Sequence, residues 1–305
     1  MNKEFLDLAE QLKCSVSCTV RLNELMSGHT SFKIGGPADI LVLPESIEQL
    51  REVLKVVKET VVPLTLLGNG SNVLVRDKGI RGIVIKLGNM LRHFYEAEDL
   101  LVFGSGYSLA LASYKAMECG KTGMEFAVGI PGSIGGAVYM NAGAYDGEMQ
   151  NIVNCVKVMD LQGNERVLTA EELNFGYRKT SLQNSGLIVT EVTLKMPSGN
   201  KDEIKSKMDD FSHRRISKQP LEMPSAGSMF KRPPGYFAGT LIDQAGLKGY
   251  TVGGAQISTK HAGFVVNVGG ATAADVLQLI KDVQTKIKAG VGVELQPEVL
   301  VIGEE

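Results

Sequence analysis

The chain has 305 residues and a net charge of −2, with 44% hydrophobic and 22% charged residues. These values are typical of a soluble globular protein with two domains, or with one domain and a smaller companion. They give no reason to expect nucleic acid or an anionic membrane as a partner. Glycine is unusual, at 35 residues, because a chain of this length normally has ~7%. The glycines lie in clusters between apolar runs, which predicts tight turns rather than a flexible linker.

The N-terminus and the cysteines indicate a cytoplasmic protein. The sequence MNKEFLDLAEQLKCSVSC predicts an amphipathic helix and lacks the apolar core of a signal peptide. No later stretch approaches the ~20 apolar residues of a membrane span. The four cysteines form no CxxC pair and have no histidine at metal-ligand spacing. We therefore expect reduced thiols and no metal site.

The first part of the chain predicts a β-rich region with few helices. Ser46 begins a helix with capping-box spacing, and an apolar run over 61–67 ends in a glycine turn. A second helix is predicted over 108–119. Further strands are predicted over 80–87, 100–103, 153–159 and 187–196. This pattern favours an α+β architecture over a regular βαβαβ sheet.

The composition changes near residues 197–200, where we place a domain boundary. A charged helix over 201–217 follows, and then a segment with several prolines and a region of glycine turns. The last helix is predicted to begin after Thr272 as its N-cap and to end before Gly290. Residues 293–302 predict a strand that could return to the first domain.

Three common nucleotide and hydrolase motifs are each incomplete. Gly120-Lys121-Thr122 resembles the end of a P-loop, but Lys115 occupies the upstream glycine position. Gly104-Ser105-Gly106 opens like a dinucleotide fingerprint, but Leu109 replaces the third glycine. The serines at 71, 133 and 228 lack the flanking glycines of a nucleophile elbow. A P-loop NTPase, a Rossmann dehydrogenase and an α/β-hydrolase are all disfavoured.

Two glycine loops remain, at 68–72 and 129–137. Such loops let successive backbone N–H groups converge on an anion, and serine and asparagine side chains add donors. Either loop alone could be a simple tight turn. Two loops of similar chemistry in one predicted domain favour the binding of a dinucleotide with its two phosphates.

Six segments, in order along nearly the whole chain, resemble the UDP-N-acetylenolpyruvoylglucosamine reductase family. They are TSFKIGGPAD, LLGNGSNVLV, GIPGSIGGAVYMNAGAYDGEM, FGYR, PSAGSMFKRP and LQPEVLVIG. The resemblance implies an α+β fold with an FAD-binding domain of the vanillyl-alcohol-oxidase (PCMH) type and a smaller α+β domain that binds the UDP-sugar. We expect the FAD-binding domain to be residues 1–200, with its core at about 31–197, completed by a C-terminal strand at 291–305. Residues 201–290 would form the substrate domain.

The resemblance also implies the reaction and the residues that perform it. FAD, bound non-covalently, would transfer a hydride from N5 to the enolpyruvyl ether of UDP-N-acetylglucosamine enolpyruvate, with NADPH as the co-substrate. Arg178 matches the arginine that binds the carboxylate, and Ser228 the donor of the proton to carbon. Glu298 matches an acidic residue facing the same intermediate, and we expect it to act protonated or paired with Arg178. Without the resemblance, each residue reads as an ordinary surface or turn residue.

The remaining site assignments follow from the same motifs. The predicted cofactor-binding residues are Lys33, Gly68, Asn69, Gly70, Ser71, Asn72, Gly129, Ile130, Pro131, Gly132, Ser133, Gly135, Gly136, Ala137 and Asn141. The predicted substrate-binding residues are Tyr177, Lys218, Lys231, Arg232 and Gln256. Longer family members have asparagine in place of Arg232, and their segment between Lys218 and Ser228 is two residues longer. They also insert a substrate-capping tyrosine after the arginine, for which this chain has no room.

Two other functions stay open. The chain could be a different flavin oxidase on the same fold, or a non-catalytic module that binds a UDP-sugar. His261 lies among apolar residues, which favours a structural role over a catalytic one. We expect a cytoplasmic monomer.

Overall fold

The computed structural model describes residues 3–88 and 90–305, apart from the side chain of Glu4. The helices among these residues are α1 (Lys3–Ser15), α2 (Ile47–Lys58), α3 (Leu109–Glu118), α4 (Ile134–Tyr139), α5 (Lys201–Lys218), α6 (Ala238–Gln244) and α7 (Ala273–Val291). The strands of the first half are β1 (Thr19–Leu25), β2 (Pro37–Leu43), β3 (Leu64–Leu67), β4 (Val73–Val75), β5 (Ile80–Lys86), β6 (Phe94–Ala97), β7 (Leu100–Gly104), β8 (Gly143–Ala144) and β9 (Gly147–Glu148). Those of the second half are β10 (Val153–Met159), β11 (Glu165–Thr169), β12 (Ile188–Lys195), β13 (Ser225–Ser228), β14 (Thr251–Val252), β15 (Ala255–Ile257), β16 (Phe264–Asn267) and β17 (Leu300–Ile302).

The chain folds as two compact units. Within the described residues, the first unit comprises the chain up to Leu22, Ile40–Asn69 and Gly82–Arg215. The second comprises Asn23–Asp39, Gly70–Arg81 and Ile216–Glu305. These bounds differ from the predicted domains, because the second unit includes two early segments and the C-terminal strand. The assignment of residues 1–200 and 201–290 to cofactor and substrate stays a prediction.

The largest sheet lies in the first unit and is antiparallel, with strand order β11-β10-β12-β7-β6. Phe103, Val192 and Val156 are paired across three neighbouring strands and are fully buried. Ala112 and Ala116 of α3, together with Ile134 of α4, belong to the same apolar cluster. The sheet and these two helices therefore form one core, and the glycine loop at 129–137 leads directly into it.

A second layer of the first unit combines helices with strands. In α2, Leu50, Val53 and Leu54 recur on one face and are buried. They pack in one apolar cluster with residues of α1, β2 and β5. The associated sheet has the order β1-β2-β5-β3, and β3 runs parallel to β5. The boundaries between the two units fall within β1, β2 and β5. The last residues of β1 and the first residues of β2 and β5 therefore belong to the second unit.

The second unit is an antiparallel sheet packed on α7. The strand order is β13-β16-β15-β14. Val276, Leu279 and Val283 lie on one face of α7 and are fully buried in the core of this unit. Thr272 and Asp275 cap the N-terminus of α7 with a reciprocal capping box. Strand β17 pairs in parallel with β4, which brings the C-terminus beside the loop at 70–72.

Most predicted elements are confirmed, and two ends are wrong. Helix α7 continues through Gly290 to Val291 and is capped by Gly292, whose φ of +71° is the left-handed conformation that favours glycine. The strand predicted over 293–302 is confined to Leu300–Ile302. Strands β6 and β11 escaped prediction because they are edge strands with little apolar alternation.

The four cysteines are free thiols, as expected; Cys14 is exposed and the other three are half-buried. No helix among the described residues is long and apolar enough to cross a membrane.

Candidate active site

The second glycine loop packs against the segment that follows β7. Leu109 N donates to Gly132 O at 3.1 Å, and Gly135 N donates to Ser105 O at 2.9 Å. Ser133 caps α4, its Oγ accepting from Gly136 N at 3.3 Å. The N–H groups of residues 134–137 are thus used within the protein. Those of Gly129, Gly132 and Ser133 have no acceptor among the described residues, so they are the donors that the loop can offer to an anion.

The first glycine loop begins beside the second. An added Cβ at Gly68 would lie 3.5 Å from Ser133 Oγ. The side-chain oxygen of Asn69 fills the space where Gly88 has no side chain. Both contacts lie within the first unit. The start of the first loop therefore lies next to the helix cap of the second loop.

Arg215, near the end of α5, lies directly against the second loop. An added Cβ at Gly129 would be 2.6 Å from Arg215 Cδ, and Arg215 Nη1 donates to Gly129 O. Arg215 Nε is buried and has no hydrogen-bond partner in the part of the chain that the structure describes. Burial lowers the pKa of the Arg215 guanidinium, and Tyr145 acts in the opposite direction. Because arginine remains charged in proteins, a buried guanidinium with an orphaned donor indicates a place for an anion.

These observations fit the pyrophosphate of FAD. A diphosphate needs several donors and at least one cation, and the loop supplies N–H groups while Arg215 supplies the charge. The lack of a side chain at Gly129 lets the Arg215 side chain lie against the loop backbone. Among the described residues there is no cluster of histidine, cysteine and acidic side chains that could hold a metal ion.

Arg178 occupies a strained position at a tight turn of the first unit. Gly176 and Lys179 exchange backbone hydrogen bonds at 2.9 and 3.1 Å, so Tyr177 and Arg178 form the two-residue tip. The φ of Arg178 is +55°, an uncommon value for a residue with a Cβ. Its Nη1 and Nη2 donate to the carbonyls of Asn141 and Gly143, at 3.2 and 2.9 Å. The turn and the two carbonyls together fix where the guanidinium lies.

Ser228 and Glu298 are brought to neighbouring backbone segments of the second unit. Glu298 N donates to Met229 O at 2.8 Å, and Phe230 forms a β-bridge with Pro297. Ser228 ends β13 and pairs with Phe264 of β16. Asn72 of the first glycine loop donates from Nδ2 to Glu298 O at 3.3 Å. The serine, the glutamate and the end of a predicted cofactor loop therefore share one region.

Lys33 belongs to a segment that contacts both the loop at 70–72 and strand β13. Ser31 N donates to Gly70 O at 3.0 Å, and Ser31 Oγ donates to Ser225 O at 2.7 Å. Lys33 itself has a φ of +57°. The segment TSFKIGG therefore ties the loop at 70–72 to the strand that carries Ser228.

Comparisons with known proteins identify the family of this chain. The family model "UDP-N-acetylenolpyruvoylglucosamine reductase, C-terminal domain" matches residues 219–302, and the model "FAD binding domain" matches residues 38–169. The reductase of Clostridioides difficile (strain 630) is 49% identical over 94% of both chains, and that of Clostridium perfringens (strain 13) is 51% identical over 94% of both. The chain belongs to this family. The fold is thus α+β with an FAD-binding domain, and the protein is an enzyme of a flavin-dependent reductase family.

A solved structure of a family member matches the fold over most of this chain. The crystal structure of the Thermus caldophilus reductase is 38% identical, covers 93% of this chain and 98% of its own, and superposes with a TM-score of 0.78. The resemblance inferred from the six segments is confirmed.

The predicted substrate-binding residues of the reductase lie in both units. Tyr177 is half-exposed, and its ring centre lies 5.0 Å from the Arg178 guanidinium. In the second unit, Arg232 lies over the ring of Phe237 at 3.9 Å, and Gln256 donates to Thr251 Oγ1 at 3.0 Å. Lys218 is exposed at the end of α5. Lys231 donates from its backbone N to Gln296 O, next to the Glu298 segment.

One predicted residue has a structural contact, and one residue escaped the sequence analysis. Asn141 stays a predicted cofactor-binding residue; its buried amide contacts Glu148, Gly176 and Gln150 of the protein, which indicates that it also supports the Arg178 turn. Arg215 was not singled out at all. Its only sequence signal is a position three residues before Lys218 in a charged helix, where it looks no different from its neighbours.

Proposed function

We propose that this enzyme reduces UDP-N-acetylglucosamine enolpyruvate to UDP-N-acetylmuramate, with FAD as cofactor and NADPH as electron donor, in peptidoglycan precursor synthesis. Family membership supports the reaction. The observation that carries the assignment to residues is the backbone pairing of Met229 with Glu298, which places the Ser228 strand beside the predicted acidic residue. The enzyme is proposed to act as a cytoplasmic monomer.

The phosphates of FAD need hydrogen-bond donors and a cation from the protein. We assign the FAD pyrophosphate to Arg215 and to the N–H groups of Gly129, Gly132 and Ser133. The first loop, Gly68–Asn72, is assigned to the same cofactor. Support comes from the orphaned Arg215 Nε and from the approach of Gly68 to Ser133. The chemistry that FAD supplies when bound is hydride donation to the terminal carbon of the enolpyruvyl group.

The protein's own residues manage the charge and the proton. Arg178 binds the substrate carboxylate, on which negative charge grows as the terminal carbon gains hydride. Its orientation by two carbonyls and by a tight turn is the preorganisation that such a role requires. Ser228 Oγ then delivers the proton to the adjacent carbon, which completes the addition of hydrogen across the double bond. Glu298 faces the same intermediate, and it would act either as an acid or paired with Arg178.

The visible absorption spectrum of the purified protein tests this proposal. A yellow protein should be bleached by NADPH under anaerobic conditions and should regain its colour when the enolpyruvyl sugar is added. Ser228→Ala should leave bleaching intact and nearly abolish the return of colour. Ser225→Ala, on the same strand, is the matched control, because the substitution keeps the backbone carbonyl that accepts from Ser31 Oγ. If Ser228→Ala impairs both half-reactions equally, the assigned role is wrong.

The same experiment separates the two alternatives. A flavin oxidase would regain its colour rapidly with oxygen and without the sugar. A binding module would purify colourless and would bind the sugar without flavin.

A further inference from the structure

Gln183 follows the Arg178 turn closely and is held in place by the core of the first unit. Two residues just before it, Thr180 and Leu182, are buried, and Leu182 belongs to the apolar cluster of the largest sheet. Gln183 N donates to Thr180 O at 3.2 Å, so the backbone turns tightly here. The half-buried side chain of Gln183 therefore starts from a defined point.

The side-chain amide of Gln183 joins two parts of the candidate active site. Its Nε2 donates to Arg178 O and to Tyr139 O, both at 3.2 Å. The same nitrogen lies 3.7 Å from Met140 Sδ. An amide nitrogen carries two hydrogens, and a carbonyl is a stronger acceptor than a thioether, so the hydrogens are used by the two carbonyls. One side chain thus connects the turn that carries the guanidinium to the last residue of α4.

Helix α4 leads from the second glycine loop to the Arg178 region. It begins after Ser133, whose hydroxyl caps it, and it ends at Tyr139. The last carbonyls of a helix have no partner within the helix. Thr180 Oγ1 already donates to Tyr139 O at 2.9 Å. Because the helix end has this donor, closing the helix does not by itself explain why Gln183 also reaches Arg178.

Arg178 is held through both its side chain and its backbone. Its guanidinium donates to the carbonyls of Asn141 and Gly143, and its own carbonyl accepts from Gln183. The φ of +55° is uncommon for a residue with a Cβ, and such a conformation persists where the surroundings fix it. We propose that Gln183 is a positioning residue, which sets where Arg178 lies relative to α4 and the cofactor loop. This inference rests on the proposed function, in which Arg178 binds the substrate carboxylate.

Rapid-mixing measurement of the two half-reactions of the holoenzyme tests the inference. Gln183→Met keeps the length of the side chain and removes both donors. It should leave flavin reduction by NADPH unchanged and slow reoxidation by UDP-N-acetylglucosamine enolpyruvate about ten- to hundredfold, the loss that a displacement of roughly 1 Å can cause. Ser181→Ala, two residues away, is the matched control and should change neither rate, because Ser181 Oγ donates to Glu172 O and not to the Arg178 turn.

A double-mutant cycle distinguishes the positioning of Arg178 from a general structural role. Where Arg178→Ala has removed the guanidinium, Gln183→Met should slow reoxidation further by less than about twofold, since no side chain is left to position. If Gln183→Met slows reoxidation by the same factor with and without the guanidinium, Gln183 acts independently of Arg178 and the inference is wrong. Equal slowing of reduction and reoxidation by Gln183→Met would also refute it.

The outcomes separate this inference from the proposed function. If the wild-type holoenzyme is not reoxidised by the sugar, the proposed function fails and the inference with it. If the wild type is reoxidised and Gln183→Met is reoxidised equally fast, only the Gln183 role is refuted. Should Gln183→Met fail to retain FAD, Gln183→Glu takes its place in the same measurements, because it keeps the shape of the side chain and replaces the donor nitrogen by oxygen. Loss of FAD from both variants would overturn the proposal, since Gln183 would then be needed for the fold and not for the placement of Arg178.

Discussion

Replacing Arg215 with methionine should weaken FAD binding without destabilising the apoprotein. Methionine keeps much of the apolar stem against Gly129 and removes the charge and the orphaned Nε. A hydrogen bond to a charged group contributes ~1.5–3 kcal/mol, so the dissociation constant for FAD should rise about 10- to 150-fold. In the apoprotein, the loss of the donor to Gly129 O is offset by the removal of a buried, unsatisfied donor, which costs ~1–3 kcal/mol. The net change in free energy of unfolding should therefore be within ~1 kcal/mol.

The neighbouring arginine provides the control. Arg214 forms an exposed ion pair with Asp210 at 2.8 Å on the surface of α5. Exposed pairs of this kind contribute ~0.3–0.5 kcal/mol to stability, so Arg214→Met should change the free energy of unfolding little. Because this pair lies on the surface of α5, the affinity for FAD should stay unchanged. Affinity is measured by titrating apoprotein with FAD and following the quenching of flavin fluorescence, and stability by thermal unfolding without FAD. The reasoning is refuted if Arg215→Met lowers the apoprotein Tm by several degrees and leaves the FAD affinity as it was. Arg215 would then be a structural support for α5.

Four further predictions follow from single positions. Gly135→Ala places a Cβ 2.7 Å from a neighbouring side-chain carbon and should destabilise the protein by ~1–3 kcal/mol in urea unfolding. Gly290→Ala, in α7 with nothing within 4 Å of an added Cβ, should instead stabilise it by ~0.5–1 kcal/mol in the same assay. A hydrogen bond from the Thr272 backbone is the main cause that lowers the pKa of Asp275 below 3.8. Its stabilisation is present above that pH and lost as the pH falls through the lowered pKa, so Asp275→Asn should lower the Tm at pH 7 and flatten its decline in acid. Arg178→Lys should leave flavin reduction by NADPH unchanged and slow reoxidation by the sugar more than tenfold, since an ammonium cannot bind a carboxylate bidentately. Stopped-flow absorbance measures both rates, and a reoxidation rate equal to that of the wild type would count against the carboxylate role.

Helix beginnings could be predicted because their chemistry is local. Ser46, Ser108 and Thr272 each accept a hydrogen bond from the backbone N–H three residues later, as their sequence positions indicate. A cap needs only the residues around it, so no knowledge of the fold is required. The end of α7 was less predictable, because the helix passes through Gly290 and ends at Gly292, and only the backbone conformation distinguishes the two glycines.

The pairing of Ser228 with its surroundings could not be predicted from periodicity. The contact between Met229 and Glu298 joins segments that are far apart in the sequence, and a strand-like pattern in one segment does not indicate which other segment it contacts. Family resemblance identified both residues, but residue patterns alone identified neither. Neither resemblance nor residue patterns identified Arg215, since only its tertiary position distinguishes it from Arg214.

The glycines of the predicted cofactor loops have different reasons to be glycine, and this decides what their substitution can test. Gly132 has a φ of +129°, so a side chain there would strain the backbone whatever binds nearby. At Gly135 a side chain would collide with Ser105, and the Gly135 N–H already donates to the Ser105 carbonyl. Loss of flavin after Gly135→Ala would therefore report disturbed packing and not a lost phosphate contact. Gly129 differs, because the atoms that exclude a side chain belong to Arg215, the proposed counter-ion of the cofactor. Arg215→Met with Gly129 intact is thus the cleaner test of the phosphate site, since it changes the charge and leaves the loop backbone as it is.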